Sequence, residues 1–319
     1  MAYLDAILEE LSGYRPALTR REDFDTFWKR TLEQTRAVPL CPTRQRFDYP
    51  SDHVAVYEIT YHGFDDTPIH GWYLVPSFLG EGPFPCLIHY HGFTGDRGMP
   101  QDFLPWVMLG MCVVSIDCRD QNGHTGSLLG THSGATQSVV CRGVLDPGDY
   151  YYRAVYMDCV KAIDFAQAQP EVDGRRIVIE GGSQGGALGM AVAALDPRPM
   201  LALVDVPSNS NIEARIEGYH GSFSAVADYL KQWPLQTEQV FATLSYFDTM
   251  NLADRIRCRV LASVGLKDTT CPAKLYFASY NRIPSQKDIR LYPFNGHEGG
   301  GRTHAEVKLR LVREVLAEH

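Results

Sequence analysis

The stretch Gly181-Gly182-Ser183-Gln184-Gly185-Gly186 lies between a short apolar run, 176–179, and an alanine-rich run, 187–195. The two runs are typical of a buried strand and of the helix that follows it. Small neighbours allow the backbone to turn so tightly that the serine side chain stands above the end of the strand. A glycine-rich helix start that merely packs closely would show the same bare pattern. The position between strand and helix nevertheless favours a nucleophile elbow, with Ser183 as the nucleophile.

Strand and helix signals alternate on both sides of this turn. A helix over 22–36 and a hairpin over 54–75 come first, and a further helix is predicted to open at Asp146-Pro147. The last helix is predicted over 305–318. The buried-strand candidates are 86–90, 111–116, 176–179, 201–206, 260–264 and 289–292. Such alternation predicts an α/β fold with a mostly parallel central sheet flanked by helices. Together with the serine turn, it predicts the α/β-hydrolase fold.

The domain organisation follows from length and composition. The chain has 319 residues, of which 45% are hydrophobic and 21% charged, which suits one enlarged α/β domain. We predict a single domain over 1–319, with an N-terminal helical arm at about 1–50. The strand and helix rhythm breaks between 207 and 251, where we predict a lid-like insertion.

Composition also excludes several classes of function. A net charge of −8 without a basic run argues against a nucleic-acid partner. We expect no membrane partner, because no apolar run approaches spanning length, and no secretory signal is visible. The 8 cysteines stand singly, without a Cys-x-x-Cys pair, which favours reduced thiols and a cytoplasmic protein, although an even number leaves disulfides possible.

A serine nucleophile needs a histidine that removes its proton. His297 follows the last strand candidate in the glycine-rich stretch Phe294-Asn295-Gly296-His297-Glu298-Gly299. This is where the predicted fold presents its base. His304 and His220 compete, but His304 is interpreted as a capping or surface residue and His220 as part of the insertion.

The histidine in turn needs an acid that orients its ring. Asp268 follows a strand candidate and lies between Ser183 and His297 in the chain, in the order that this fold requires. Asp205 is its main rival. Asp248 and Asp254 are interpreted as helix caps or salt-bridge partners.

The developing oxyanion needs two backbone N–H donors. One is predicted at Gln184, directly after the nucleophile, and the other at Phe93, in the loop that follows the strand 86–90. His89 and His91 form a His-x-His pair without a third ligand motif, so we predict neither a metal nor a cofactor. Residues that bind the rest of the substrate stay unknown at this stage.

Beyond the serine turn, several motifs along most of the chain resemble those of carbohydrate esterase family 7, the acetyl xylan esterases that include cephalosporin C deacetylases. The motifs are Tyr90-His91-Gly92-Phe93, Asp149-Tyr150-Tyr151-Tyr152-Arg153, Gly181 to Gly186, Thr243-Leu244-Ser245-Tyr246-Phe247-Asp248, Met250-Asn251-Leu252-Ala253-Asp254-Arg255 and Gly296-His297-Glu298. The Arg-Gly-Gln motif of the family falls at Arg119-Asp120-Gln121. The sequence departs from the family at Asp120, at Phe93, where the family commonly has tyrosine, and over 124–141.

The resemblance implies a triad of Ser183, Asp268 and His297, with an oxyanion hole formed by the amides of Phe93 and Gln184. It also implies a serine esterase that removes acetyl groups from acetylated xylo-oligosaccharides and from related small esters, including cephalosporin C-type substrates. The family assembles as hexamers, so we expect a homohexamer.

Two other readings stay open. The same fold could hydrolyse another small ester, a lactone or a peptide, because fold does not fix substrate. The missing propeller-like repeats weigh against an oligopeptidase. A non-catalytic binding protein on the hydrolase scaffold is the second alternative, although a complete set of triad candidates argues against it.

Overall fold

The computed structural model describes residues 2–134, 136 and 138–318, and one nine-stranded sheet runs through them. The strands are β1 (Thr43–Arg46), β2 (Ala55–His62), β3 (Pro68–Val75), β4 (Phe84–Tyr90), β5 (Cys112–Ile116), β6 (Val172–Gly182), β7 (Pro199–Asp205), β8 (Arg259–Gly265) and β9 (Lys287–Tyr292). Their spatial order is β1-β2-β3-β5-β4-β6-β7-β8-β9. The β5-β4-β6-β7-β8-β9 part is parallel, whereas β1, β2 and β3 pair antiparallel at one edge. The predicted α/β class with a mostly parallel sheet is confirmed.

The helices lie on both faces of this sheet. They are α1 (Ala2–Ser12), α2 (Phe24–Ala37), α3 (Leu104–Met108), α4 (Tyr151–Gln167), α5 (Gln184–Leu195), α6 (Ile212–Glu217), α7 (Ser224–Gln232), α8 (Thr237–Leu244), α9 (Ala273–Tyr280) and α10 (Gly301–Ala317). One apolar core contains residues of α4 and α5, and a second, on the other face, contains residues of α3 and α10. Helix α5 is apolar on every side because it is almost wholly buried.

Two predicted helix starts are wrong. The helix expected to open at Asp146 begins at Tyr151, since the Asp146 side chain accepts the N–H of Gly148 at 2.7 Å and forms a local turn instead of a helix cap. The final helix begins at Gly301, in the glycine run, and not at Ala305. Both errors concern boundaries and leave the positions of the strands unchanged.

The N-terminal segment contains more structure than the sequence suggests, because α1 and β1 both lie within it. Helix α2 is anchored by Trp28, which is buried and donates its indole N–H to the carbonyl of Tyr246 at 3.2 Å. Between β7 and β8, the predicted insertion folds into α6, α7 and α8. No helix among the described residues is long and apolar enough to cross a membrane.

Candidate active site

Ser183 occupies the turn between β6 and α5 in a strained conformation. Its φ of 58° and ψ of −117° lie in a region that favours glycine. The turn is held by the Ser183 N–H, which donates to the carbonyl of Asp205 at 2.8 Å, and by the Ser183 carbonyl, which accepts the N–H of Ser208 at 3.0 Å. Both contacts tie the nucleophile to the end of β7, so the serine position is fixed by the backbone.

The glycines beside Ser183 are required by the close approach of β4. A Cβ atom on Gly185 would lie 1.9 Å from the carbonyl oxygen of Tyr90, and one on Gly181 would lie 2.6 Å from the same oxygen. A side chain at either position would overlap the backbone of the neighbouring strand. The local geometry is therefore that of the predicted nucleophile elbow.

Asp268 and His297 come together from separate loops. Asp268 follows β8 and is buried, and its Oδ2 accepts a hydrogen bond from Nδ1 of His297 at 2.8 Å. Its Oδ1 accepts the backbone N–H groups of Thr270 and Cys271, each at 2.8 Å. Both oxygens of the carboxylate are thus engaged, and it holds His297 through Nδ1, which leaves Nε2 as the ring nitrogen that can accept a proton.

The electrostatics of this pair favour the ionised forms. The hydrogen bond with Asp268 and then the neighbouring thiol of Cys271 raise the pKa of His297 above its ordinary value. Burial alone would raise the pKa of Asp268, but the hydrogen bonds from His297, Cys271 and Thr270 hold it below its usual range. The pair is therefore built to stabilise an imidazolium, the form that a general base becomes after it has taken a proton.

Cys271 is a neighbour of the triad that the sequence reasoning missed. Its Sγ belongs to a group with Asp268 and His297 in which the potential ligand atoms lie within 4.8 Å of one another. Burial would raise the pKa of this thiol, but Arg215 and His297 hold it below its usual value. A signal was present, because Cys271 stands only three residues after the predicted acid.

The predicted oxyanion donors lie in neighbouring loops, since a Cβ on Gly92 would lie 3.9 Å from the Cβ of Ser183. Among the described residues, neither the Phe93 N–H nor the Gln184 N–H has a protein acceptor, so both are free for an oxygen of the substrate. The Gln184 side chain is buried, and its Oε1 accepts hydrogen bonds from Gln121 at 3.0 Å and from Tyr152 at 2.9 Å. Gln121 Oε1 also accepts the Thr94 N–H at 2.8 Å, which links the two loops that carry the donors.

The rival acid and one rival base are engaged elsewhere. Asp205 pairs with Lys308 at 2.6 Å and with Nε2 of His304 at 3.0 Å. Among the described residues, neither Asp205 nor His304 forms an ion pair with Asp268 or His297. His304 is buried, so its interpretation as a capping or surface residue is wrong. Its ring is held instead between Asp205 and the hydroxyl of Tyr292, whose oxygen lies 3.0 Å from Nδ1.

The remaining candidates have structural partners. Asp248 accepts the Met250 N–H in its own turn, as expected for a cap, and also the N–H groups of Asn211 and Ile212 at the start of α6. Asp254 pairs with Arg20. His220 Nδ1 lies 3.0 Å from the carbonyl of Thr269. His89 pairs with Glu180 at 2.5 Å, whereas Nε2 of His91 accepts the Cys118 N–H at 2.8 Å. The two histidines of the His-x-His pair thus serve different partners.

Asp120, which stands where the motif of the resembled family has glycine, has a backbone conformation that suits glycine. Its φ of 53° lies in the left-handed region, which costs a non-glycine residue strain. Here the Asp120 carboxylate pairs with Arg142 at 2.5 Å. Arg119, the first residue of the motif, is buried and pairs with Asp158 at 2.7 Å and Asp65 at 2.9 Å.

One cavity of about 670 Å³ unites these groups. It is lined by Ser183, His297 and Phe93, by the rival acid Asp205, and by residues that the sequence did not indicate: Glu180, Ser208, Arg215, Ser222, Thr270 and Cys271. Several of them come from the segment between β7 and β8, which therefore forms part of the cavity wall. No periodicity or motif marks Ser208, Arg215 and Ser222 of that segment, since only its folding brings them to the nucleophile.

The chain was compared with known proteins. The family model for acetyl xylan esterase matches residues 1–314. A curated relative, the acetyl esterase Axe7A of Xylanibacter ruminicola, is 27% identical over 306 residues, which is 94% of this chain and 69% of that protein.

Two solved structures are similar over nearly their full length. The acetyl xylan esterase from Paenibacillus sp. R4 is 40% identical with a TM-score of 0.93, covering 96% of this chain and 99% of that one. Acetyl Xylan Esterase 1 from Thermoanaerobacterium sp. JW/SL YS485 is 31% identical with a TM-score of 0.91, covering 96% and 98%. The resemblance seen in the sequence is confirmed. This chain belongs to the acetyl xylan esterase family and is a carboxylic ester hydrolase of the α/β-hydrolase fold.

Proposed function

We propose that this esterase removes acetyl groups from acetylated xylo-oligosaccharides and related small esters through an acetyl-enzyme on Ser183. The observation that carries the proposal is the shared cavity. It is lined by Ser183, on a strained elbow, and by His297, which is hydrogen-bonded to the buried carboxylate of Asp268. The family and the names of its similar members support the acetyl group and the xylan-derived alcohol.

The first half of the reaction forms the acetyl-enzyme. Nε2 of His297 takes the proton of the Ser183 hydroxyl while Oγ attacks the acetyl carbonyl carbon. The carbonyl oxygen gains negative charge and is held by the N–H groups of Phe93 and Gln184. The imidazolium then returns its proton to the sugar oxygen as the ester bond breaks, and the alcohol leaves.

The second half repeats these steps with water. His297 removes a proton from a water molecule, whose oxygen attacks the acetyl carbon bound to Ser183. Acetate leaves when the proton is returned to Oγ of Ser183. Asp268 keeps the ring oriented throughout and stays ionised, consistent with its lowered pKa.

The proposal is tested with kcat/KM for p-nitrophenyl acetate, butyrate and octanoate and for acetylated xylobiose. We expect a steep preference for acetyl, release of acetate from the sugar, and a loss of about 10⁴-fold or more in Ser183→Ala. Comparable rates on octanoate would contradict the acetyl preference while leaving a serine hydrolase. A serine-reactive phosphonate that fails to label the wild type would instead support the non-catalytic binding protein.

We further propose that the protein is a cytoplasmic homohexamer that also accepts cephalosporin C-type esters. The exposed apolar side chains Trp233 and Leu235, which are 53% and 99% exposed in the segment between β7 and β8, support an interface there. Light scattering on the purified protein measures the mass, and a monomer would refute the hexamer. Acetate release from cephalosporin C, measured with Ser183→Ala as the control, tests the additional substrate.

A further inference from the structure

Arg215, on α6, is a buried cation that makes no salt bridge among the described residues. It is 1% exposed, and its guanidinium donates to the backbone carbonyls of Ser210, Thr270 and Pro207 at 3.1 to 3.3 Å. No carboxylate lies within 4.0 Å of it among the described residues. Arginine is almost never fully buried unless it is paired, so this environment is incomplete for a charged group.

A second buried arginine in the same molecule shows what a complete environment looks like. Arg119 has no exposed surface and pairs with the carboxylates of Asp158 and Asp65. A guanidinium carries five N–H donors, of which Arg215 uses three, so two have no acceptor in the part of the chain that the structure describes. Arg215 thus has both the charge and the free donors to bind an anion.

Arg215 also lines the cavity that contains Ser183 and His297. Three carboxylates lie on the same wall: Glu180 and Asp205 are already paired with Lys308, and Glu298 accepts hydrogen bonds from the Asn295 side chain and the Gly296 N–H. Arg215 is therefore the one lysine or arginine among the described residues of the cavity wall. Its charge is felt inside the cavity, because it contributes to lowering the pKa of the Cys271 thiol.

We propose that Arg215 binds a carboxylate of the substrate beside the scissile ester. A guanidinium with two free N–H donors matches a carboxylate in charge and geometry. The inference rests on the proposed function, and since an acetyl group carries no carboxylate, the anion belongs to the alcohol part. The substrate class is then the acetyl esters of acidic alcohols, such as sugars that carry a carboxylate.

Two substrate pairs test this recognition. 4-Acetoxybenzoate is compared with 4-acetoxybenzamide, which places the carboxylate on the alcohol part or removes its charge. Mono-p-nitrophenyl fumarate is compared with p-nitrophenyl crotonate, in which an uncharged methyl group replaces the carboxylate of the acyl part. For each pair, the kcat/KM of the carboxylate ester is divided by that of its uncharged partner. This ratio is measured in the wild type and in Arg215→Gln, so that intrinsic ester reactivity cancels.

We expect the ratio for the alcohol-side pair to fall about tenfold or more in Arg215→Gln, because a charge-assisted hydrogen bond is lost, and to recover partly in Arg215→Lys. A matched control is Arg282→Gln, since Arg282 also donates to backbone carbonyls but lies outside the cavity wall. Its ratios should equal those of the wild type. A fall confined to the fumarate pair would overturn the placement on the alcohol part, and unchanged ratios in both pairs would overturn carboxylate recognition.

A binding measurement on the wild type keeps the inference testable if the variants do not fold. Benzoate should bind more tightly than benzamide, by calorimetry, and its affinity should weaken as the salt concentration rises. Equal affinities would refute the anion site. Failure of the proposed function is a separate result, because it would show as absent hydrolysis of p-nitrophenyl acetate while benzoate still bound.

Discussion

At the scale of single residues, the environment of His297 decides the pH at which the enzyme works. An isolated imidazole would titrate near its ordinary pKa of about 6.5, the value that the sequence alone suggests. Asp268 and Cys271 both stabilise the charged ring and raise this pKa. A general base must be neutral to accept the serine proton, so its raised pKa moves the active range toward higher pH.

We predict that kcat/KM rises with pH through a midpoint above about 6.5, and that Cys271→Ala lowers this midpoint. The sign follows because the substitution removes a neighbouring thiol that favours the imidazolium and raises the pKa of His297. The measurement is a pH profile of kcat/KM for p-nitrophenyl acetate. Cys41→Ala serves as the control, because Cys41 is an exposed free cysteine. Identical midpoints in wild type and Cys271→Ala would contradict the assignment of the thiol.

At the scale of secondary-structure elements, the elbow depends on how closely α5 approaches β4. Gly185 lies where a Cβ would meet the Tyr90 carbonyl at 1.9 Å, whereas a Cβ on Gly182 would meet its nearest neighbour, Asp205, at 3.9 Å. Two glycines of one motif therefore have different structural roles, although the sequence pattern treats them alike.

We predict that Gly185→Ala lowers the free energy of unfolding by more than about 3 kcal/mol or prevents folding, because the backbone of α5 would have to move away from β4. Gly182→Ala should cost about 1 kcal/mol or less, since its Cβ makes an ordinary contact. Urea unfolding of both variants measures the difference. Equal losses would show that the close approach to Tyr90 is not what requires glycine at 185.

Comparison of the elements with the sequence shows which parts of the structure could be predicted. Buried parallel strands read as apolar runs, and the elbow is encoded in neighbouring residues, so the sheet and the positions of Ser183, Asp268 and His297 could be predicted from local pattern and chain order. The start of α4 could not be predicted in this way. Asp146 is a residue type common at helix caps, but here its side chain accepts the Gly148 N–H in a turn. Arg215 escaped prediction for a different reason: its position in the cavity depends on how the insertion folds back.

At the scale of the whole molecule, the C-terminal helix α10 is tied by ion pairs to β6 and β7, the strands next to the nucleophile. Lys308 lies on this helix and reaches Glu180 at the end of β6 and Asp205 at the end of β7. Burial would raise the pKa of both carboxyls, but Lys308, with His89 on Glu180 and His304 on Asp205, holds them below their ordinary values. These charges connect the C-terminal helix to the strands that carry the nucleophile.

We predict that Lys308→Met lowers the free energy of unfolding by about 3–5 kcal/mol at pH 7, because two buried carboxylates lose their cation. The stability that these groups give the wild type is present above the ordinary carboxyl pKa and is lost as pH falls through the lowered values. In the variant the orphaned carboxylates protonate more readily, so the difference should shrink between pH 7 and pH 4.5. Urea unfolding across this range measures it.

Lys29→Met is the control for this series, since Lys29 is an exposed residue of α2 outside the network. Its unfolding free energy should follow the wild type at every pH. A loss in Lys308→Met that is independent of pH would indicate lost packing in place of lost charge pairing.

The backbone of Ser183 has a consequence for how such an enzyme tolerates change over evolutionary time. A φ of 58° with a ψ of −117° suits glycine, and a residue with a side chain held there carries strain of about 1–3 kcal/mol. Ser183→Gly should therefore raise the melting temperature while it abolishes hydrolysis, whereas Ser183→Ala should not. A substitution by glycine at this position would increase stability but remove the nucleophile. The serine therefore persists only under continued selection for activity.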